Sequence, residues 1–123
     1  MACRGIRGAV TVEENTVAAI KAAVRTLLEC IVAANVLDVA DIASVIFTAT
    51  PDLNAVYPAV AAREMGWVHT PLLCVQEMAV QENLPRCIRV LLHWNTECAQ
   101  ADLHHVYLGE ARLLRPDLAN HKS

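Results

Sequence analysis

The stretch Arg86-Cys87-Ile88-Arg89-Val90-Leu91-Leu92-His93-Trp94 is the strongest strand signal in the chain, and it decides the fold class. Successive side chains of a strand point to opposite faces of a sheet. The even-numbered positions from Ile88 to Trp94 form an entirely apolar face. The odd-numbered positions place Arg89 on the other face, beside Leu91 and His93. This pattern predicts a strand that packs one face on a core and presents an arginine on the other.

Two arginines, Arg7 and Arg89, lie inside apolar strand-like runs with no acidic residue within two positions in sequence. A guanidinium stays charged at any working pH, and its fork of donors fits a carboxylate. Each arginine therefore needs a partner, since an arginine is rarely buried alone. From the residues alone, that partner is either a distant carboxylate (Glu77, Glu110 or an acid of another subunit) or a bound anion.

The remaining chain predicts about five strands and two main helices. The best helix spans 16–35, because its apolar residues recur every three or four positions and Asn15 or Thr16 can cap its start. The second helix spans 57–65, with Pro58 in its first turn and Gly66 after its end. The other predicted strands are 2–10, 42–50, one within 67–75, and 104–108, which 111–114 would continue. We expect an α+β sheet with helices on one face.

Length and composition indicate a single domain over residues 1–123, with a flexible C-terminal tail at about 116–123. The chain is 55% hydrophobic and only 4% aromatic, so Val, Leu, Ile and Ala must build the core. One small sheet-and-helix layer would hide that much apolar surface poorly, which favours packing between subunits. The net charge of −3 and the lack of a basic run argue against a nucleic-acid partner.

The five cysteines contain no Cys-x-x-Cys pair, and no segment is long and uncharged enough to span a membrane. Arg4 and Arg7 interrupt the N-terminal apolar residues, so no signal peptide is expected. Together these features predict a cytoplasmic protein with reduced thiols. His104 and His105 are adjacent on a predicted strand and point to opposite faces, so they make a poor metal pair. No metal or cofactor is expected.

Several short segments, in this order and spacing, resemble those of the AroH-type chorismate mutases. They are Arg4-Gly5-Ile6-Arg7-Gly8-Ala9, Thr48-Ala49-Thr50-Pro51-Asp52-Leu53, Gln76-Glu77-Met78, Cys87-Ile88-Arg89-Val90, His105-Val106-Tyr107-Leu108 and Leu114-Arg115-Pro116-Asp117-Leu118. Each is weak alone, but together they cover nearly the whole chain. The resemblance implies a mixed sheet with helices outside, assembled as a homotrimeric pseudo α/β-barrel. It also implies active sites between subunits, and conversion of chorismate to prephenate on the way to phenylalanine and tyrosine.

The resemblance also implies roles for individual residues. Arg7 matches an arginine that binds a substrate carboxylate, and Arg89 matches the arginine that faces the ether oxygen. Glu77 matches a carboxylate that accepts a hydrogen bond from the ring hydroxyl. The substrate-binding positions that it implies are Tyr107 at a carboxylate, Leu73, Cys74, Val75 and Gln76 on the segment before Glu77, Arg63 and Arg115 as mobile arginines at the cleft mouth, and Tyr57, Ala59 and Leu114 lining the pocket.

Three positions depart from the family pattern. Tyr57 replaces a common phenylalanine, Leu73 replaces a common threonine and so loses a hydroxyl contact, and Val60 replaces a lysine found in some members. None of them is Arg89 or Glu77. A different class of function, a non-catalytic trimeric module that binds a carboxylated metabolite, stays open on the residues. It would not need a cation at the ether position.

Overall fold

The computed structural model describes residues 1–81 and 83–113, which form a five-stranded mixed sheet with two helices on one face. The strands are β1 Ala2–Thr11, β2 Ile42–Ala49, β3 Leu72–Gln76, β4 Cys87–Thr96 and β5 Val106–Leu108. The helices are α1 Val17–Asn35 and α2 Ala59–Glu64, with short 3₁₀ helices at Val39–Asp41, Gln100–Asp102 and Gly109–Leu113.

The strand order across the sheet is β3-β2-β4-β1-β5. The central strand β4 runs antiparallel to both of its neighbours, β1 and β2. The outer pairs, β2 with β3 and β1 with β5, are parallel. The predicted α+β class and mixed five-stranded sheet are therefore confirmed, and β4 is the strand on which the other pairings depend.

Helix α1 forms where its apolar stripe predicts it. Thr16 is the N-cap, and its side chain accepts a hydrogen bond from the backbone N–H of Ala19. The stripe consists of Ile20, Val24, Leu27, Leu28 and Ile31, and all five are buried. Asn35 is the last helical residue, but Val36 adopts the left-handed conformation there, at φ 49°. The Asn35 amide instead donates to the carbonyls of Ile31 and His104, which ties the helix end to the chain before β5.

The core lies between the two helices and the even-numbered face of β4. Phe47, Ile88 and Leu92 are fully buried there, with α1 above them. Among the described residues, the opposite face carries no α-helix; the 3₁₀ helix Gly109–Leu113 covers only its β1–β5 end, where Ala111 packs with Ala9 and Tyr107. Both α-helices therefore cover one face, as predicted, and we call the opposite face the helix-free face. Within the described ranges, no helix is both long and apolar enough to cross a bilayer.

Gly8 allows α1 to approach the sheet closely. A Cβ atom at this position would lie 2.9 Å from Ile31 Cδ1, 3.0 Å from Val90 Cγ1 and 3.2 Å from Leu27 Cδ1. These neighbours are buried side chains in a close-packed core, so they have little room to move.

We expect Gly8→Ala to lower the free energy of unfolding by about 1–3 kcal/mol, the usual cost of overpacking a core. Urea unfolding at one fixed protein concentration measures the change. Gly5→Ala on the same strand is the matched control, because its Cβ would meet only Leu91 Cδ1 at an ordinary 3.6 Å. Equal stability of the Gly8 and Gly5 variants would contradict the close approach.

Three sequence predictions need correction. The strand proposed over 111–114 is wrong: Gly109–Leu113 is a 3₁₀ helix, since Gly109 turns the chain at φ 61° and Thr11 Oγ1 accepts a bond from the N–H of Glu110. The last strand begins at Val106 rather than at His104, whereas the third strand, Leu72–Gln76, lies where it was expected apart from its last residue. The second helix is shorter than 57–65, at Ala59–Glu64. Leu114 and the tail at 116–123 lie outside the described residues.

Candidate active site

The helix-free face of the sheet brings the predicted polar residues together. Strand register places Tyr107 beside Ala9, Ala9 beside Arg89, Arg89 beside Thr48, and Thr48 beside Val75. One row across the sheet thus runs from Tyr107 on β5 to Val75 on β3. Side chains alternate between the two faces along β1, so Arg7, two positions before Ala9, lies on the same face as this row. Arg7 and Arg89 are therefore diagonal neighbours on β1 and β4, and residues in that relation lie roughly 7–8 Å apart.

Arg89 and Glu77 form an ion pair on this face. Arg89 Nε lies 3.5 Å from Glu77 Oε1, and the side chains are 29% and 18% exposed. The backbone N–H of Glu77 donates to the carbonyl of Ala49 at 2.8 Å, which extends the β3 pairing and directs the carboxylate towards β4. This pair answers the question left open by the sequence for Arg89: a distant carboxylate of the same chain lies beside it.

Two further side chains hold this pair, and sequence reasoning assigned a role to neither, although Thr48 lies in a segment that carries the family resemblance. Thr48 Oγ1 donates to Glu77 Oε1 at 2.5 Å, and Arg89 Nη2 donates to Asn83 Oδ1 at 3.2 Å. The Asn83 amide also donates to the carbonyl of Met78. Arg89 Nε is buried and has no hydrogen-bond partner among the described residues, because its distance to Glu77 is too long for a charge-assisted bond.

Tyr107 is buried but keeps an unused polar atom. Its ring packs with Ala9, Cys87 and Ala111, and it is only 4% exposed. Its hydroxyl is buried and has no hydrogen-bond partner within residues 1–81 and 83–113. A buried polar group without a partner is costly, and such groups often mark the place of a missing ligand or water.

Arg7 is exposed on the same face, and its backbone N–H donates to His105 Nδ1 at 2.9 Å. Among the ion pairs of residues 1–81 and 83–113, none involves the Arg7 guanidinium. Its charge is therefore open to an anion that approaches the helix-free face. The sequence-based alternative of an ion pair to Glu110 has no support in the described part of the chain.

The second group of predicted residues lies at a cleft of about 580 Å³ between the end of β2, the start of α2 and the edge strand β3. Tyr57, Cys74, Val75 and Gln76 line it. Tyr57 is exposed, whereas Ala59 is buried at the start of α2. Arg89 and Glu77 do not line this cleft, so one chain presents the predicted site as two separate groups.

The thiol of Cys74 faces the first turn of α2. Burial raises its pKa, while a hydrogen bond with the backbone of Ala59 and the charge of Arg63 oppose that rise. Burial likewise raises the pKa of Cys87, and the neighbouring Arg89 opposes it by its charge and a hydrogen bond. Both groups therefore stay thiols near neutral pH, which suits packing and weak hydrogen bonding better than nucleophilic attack.

Of the remaining predicted positions, two are exposed and two lie outside the described residues. Leu73 is exposed on the helix-free face, and Arg63 is exposed at the end of α2. Leu114 and Arg115 lie outside the described residues. In the part of the chain that the structure describes, no cluster of three or more His, Cys, Asp or Glu side chains has the arrangement of a metal site.

A guanidinium and a carboxylate lie side by side on an open sheet face, an arrangement that suits the binding of an anionic small molecule. Residues 3–118 match the family model described as chorismate mutase type I. The chain is 52% identical to chorismate mutase AroH of Thermus thermophilus over 94% of its length and 95% of the relative. It is 45% identical to chorismate mutase AroH of Bacillus subtilis, covering 97% of this chain and 94% of the relative.

A solved structure, the chorismate mutase from Clostridium thermocellum, superposes with a TM-score of 0.87 at 47% identity. The match covers 89% of this chain and 97% of the other. The chain therefore belongs to the chorismate mutase type I family, and its activity is that of a chorismate mutase, an isomerase.

Proposed function

We propose that Arg89, Glu77, Tyr107 and Arg7 catalyse the rearrangement of chorismate to prephenate, at a site that a neighbouring subunit completes. Chorismate is a dianion that contains an enol ether. In its rearrangement one C–O bond breaks while one C–C bond forms within the same molecule, so no proton transfer and no covalent enzyme intermediate are needed. The enzyme has to hold the compact chair-like conformer and to stabilise the negative charge that grows on the ether oxygen.

The observation that supports this most directly is the state of Arg89. Its guanidinium is fixed by Asn83 and lies beside Glu77, yet Nε has a free hydrogen in a buried position. A fixed cation interacts more strongly with an oxygen as that oxygen becomes anionic, so it stabilises the transition state more than the substrate. Arg89 is thus proposed to donate to the ether oxygen.

Glu77 is proposed to accept a hydrogen bond from the ring hydroxyl of chorismate and so to orient the ring. Only one of its oxygens is engaged by Thr48, and the side chain is partly exposed. The Glu77 carboxylate also offsets the positive charge of Arg89. Without Glu77, the Arg89 guanidinium would attract either carboxylate of the substrate, with no preference for one orientation.

Arg7 and Tyr107 are proposed to bind the substrate carboxylates. The Arg7 guanidinium is exposed on the site face, and the Tyr107 hydroxyl is a buried donor without a partner. Holding both ends of the dianion lowers the entropic barrier to the chair-like conformer. Leu114 is proposed to line the pocket and Arg115 to lie near the cleft mouth, within a single domain.

The apolar part of the helix-free face supports a homotrimer. Leu73, Val75 and Leu91 are 57%, 43% and 37% exposed there, next to the charged residues. A contiguous apolar surface of this kind is typical of a subunit contact. Contact between copies would let the cleft at Tyr57, Cys74 and Gln76, together with Ala59 and Arg63, meet the Arg89 cluster of a neighbour. The five free thiols agree with the proposed cytoplasmic location.

We expect Arg7→Ala to raise KM much more than it lowers kcat, because a carboxylate contact made equally in the substrate and the transition state is uniform binding. Steady-state kinetics with chorismate separate the two parameters. Arg4→Ala, on the same strand, is the matched control. The Arg4 Nε donates to the carbonyl of Cys98, which follows the end of β4. An unchanged KM in the Arg7 variant would remove the proposed clamp.

The proposed mechanism is tested by the loss of chorismate absorbance on addition of the purified protein. A bicyclic diacid that imitates the transition state should inhibit competitively and bind more tightly than chorismate. Binding of the diacid without any turnover of chorismate would instead indicate a carboxylate-binding module.

A further inference from the structure

We infer that Thr48 is a positioning residue for this reaction: its hydroxyl holds Glu77 away from Arg89, so that the Arg89 Nε–H stays available to the substrate. This inference rests on the proposed roles of Arg89 and Glu77. It assigns a task to the segment Thr48-Ala49-Thr50-Pro51-Asp52, which the proposed mechanism leaves without one.

Two hydrogen-bond donors next to Glu77 face the same oxygen. Thr48 Oγ1 lies 2.5 Å from Glu77 Oε1, at the short end of the range for a hydroxyl that donates to a carboxylate. Arg89 Nε lies 3.5 Å from that same Oε1, beyond the roughly 2.7–2.9 Å of a charge-assisted N–H bond. A carboxylate oxygen can accept two hydrogen bonds, so the difference is one of position. The carboxylate lies against Thr48, and the Arg89 Nε keeps only an ionic contact with it.

Backbone register explains why Thr48 is in a position to do this. Thr48 is the direct partner of Arg89 on β4 and of Val75 on β3, two residues before Glu77. It thus lies between the two charged groups on the helix-free face. A threonine at this point can reach the carboxylate from β2, whereas a residue one position away would face the core.

The other end of the guanidinium is fixed independently. Arg89 Nη2 donates to Asn83 Oδ1, and Asn83 is itself bonded to the 78–84 loop through Met78 and Leu84. The guanidinium therefore cannot rotate to follow Glu77. Because the Glu77 carboxylate is bonded to Thr48, the Arg89 Nε–H is buried and unsatisfied within the described residues. Such an arrangement persists only where the surrounding structure enforces it.

Thr48→Val tests the inference, because valine keeps the shape and strand preference of threonine but removes the hydroxyl. We expect Glu77 to bond directly to Arg89 in this variant, so that kcat falls about 10-fold, as for loss of one hydrogen bond to a charged group, while KM changes little. Thr48→Ser restores the hydroxyl and should recover most of kcat. A role confined to fold stability would not give this split or this recovery.

Thr96→Val is the matched control. Thr96 is a buried strand threonine whose hydroxyl accepts one bond from the N–H of Cys98, and it lies seven positions from Arg89 on β4, roughly 23 Å away. Its kcat should equal that of the unmodified protein. Unchanged kcat in the Thr48 valine variant, or a serine variant as slow as the valine one, would overturn the inference.

A double-mutant cycle with Glu77→Ala identifies the partner. The affinity of the bicyclic diacid is measured in all four proteins, because binding does not require turnover. Without the Glu77 carboxylate, removal of the Thr48 hydroxyl should no longer change the affinity. An equal loss with and without Glu77 would contradict the inference. Full activity of Arg89→Ala would contradict the proposed function itself, so the two failures are distinguishable.

Discussion

Arg89→Ala should lower kcat by at least about 10²-fold while the protein remains folded, which corresponds to roughly 3–4 kcal/mol of lost transition-state stabilisation. The guanidinium is fixed by Asn83 and Glu77 before substrate arrives, so its removal loses a preorganised donor rather than a flexible one. Glu77 keeps its bond from Thr48 and remains partly exposed, so it does not become an unpaired buried charge. Single-turnover and steady-state kinetics with chorismate give the effect on the chemical step.

A lysine variant tests whether the shape of the Arg89 cation matters as well as its charge, and a second arginine serves as the control. Arg89→Lys keeps a cation but loses the planar fork, so it should lie between the alanine variant and the unmodified protein. Arg25→Ala removes an exposed arginine of α1 that pairs only with Glu29, and it should leave kcat unchanged. Near-normal turnover in Arg89→Ala would end the proposed role of the guanidinium.

Phe47→Ala should lower the free energy of unfolding by about 3–5 kcal/mol, the cost of removing a large buried aromatic ring and leaving a cavity. Phe47 is fully buried in the middle of β2, opposite Val90 on β4 and Cys74 on β3, under both helices. Urea unfolding at fixed protein concentration measures the loss, since assembly of subunits, where it occurs, makes apparent stability depend on concentration.

Val68→Ala is the control for this change. Val68 is 68% exposed in the loop before β3, so its truncation should change the free energy of unfolding by no more than about 0.5 kcal/mol. A loss in Phe47→Ala no larger than in the Val68 variant would show that β2 does not pack as described.

Most elements of the fold could be predicted because their signals are local. The stripe from Ile20 to Ile31, the cap at Thr16 and the alternation along β4 each follow from residues close in sequence. The errors arose where tertiary contacts decide the outcome. The segment 111–114 is predicted to continue the last strand, but Gly109 and the hydroxyl of Thr11 turn Gly109–Leu113 into a 3₁₀ helix.

The site was predictable only in part. Resemblance to a family pointed to Arg89 and Glu77, but their contact depends on strand register across β2, β3 and β4. Thr48 lies in a segment that carries the family resemblance, but its bond to Glu77 spans 29 positions and depends on strand register. Asn83 lies 6 positions from Arg89, in a loop outside the quoted segments, so spacing does not predict its contact either. Assignments at Leu114 and Arg115 stay predictions.

The strand order also governs how the chain can fold as it is synthesised. β1 precedes every other element of the described chain, yet both of its sheet neighbours, β4 and β5, are translated after residue 86. Until β4 has emerged from the ribosome, β1 has no sheet partner for its backbone hydrogen bonds. The sheet therefore depends on pairings between residues far apart in sequence, which are intrinsically slow to form.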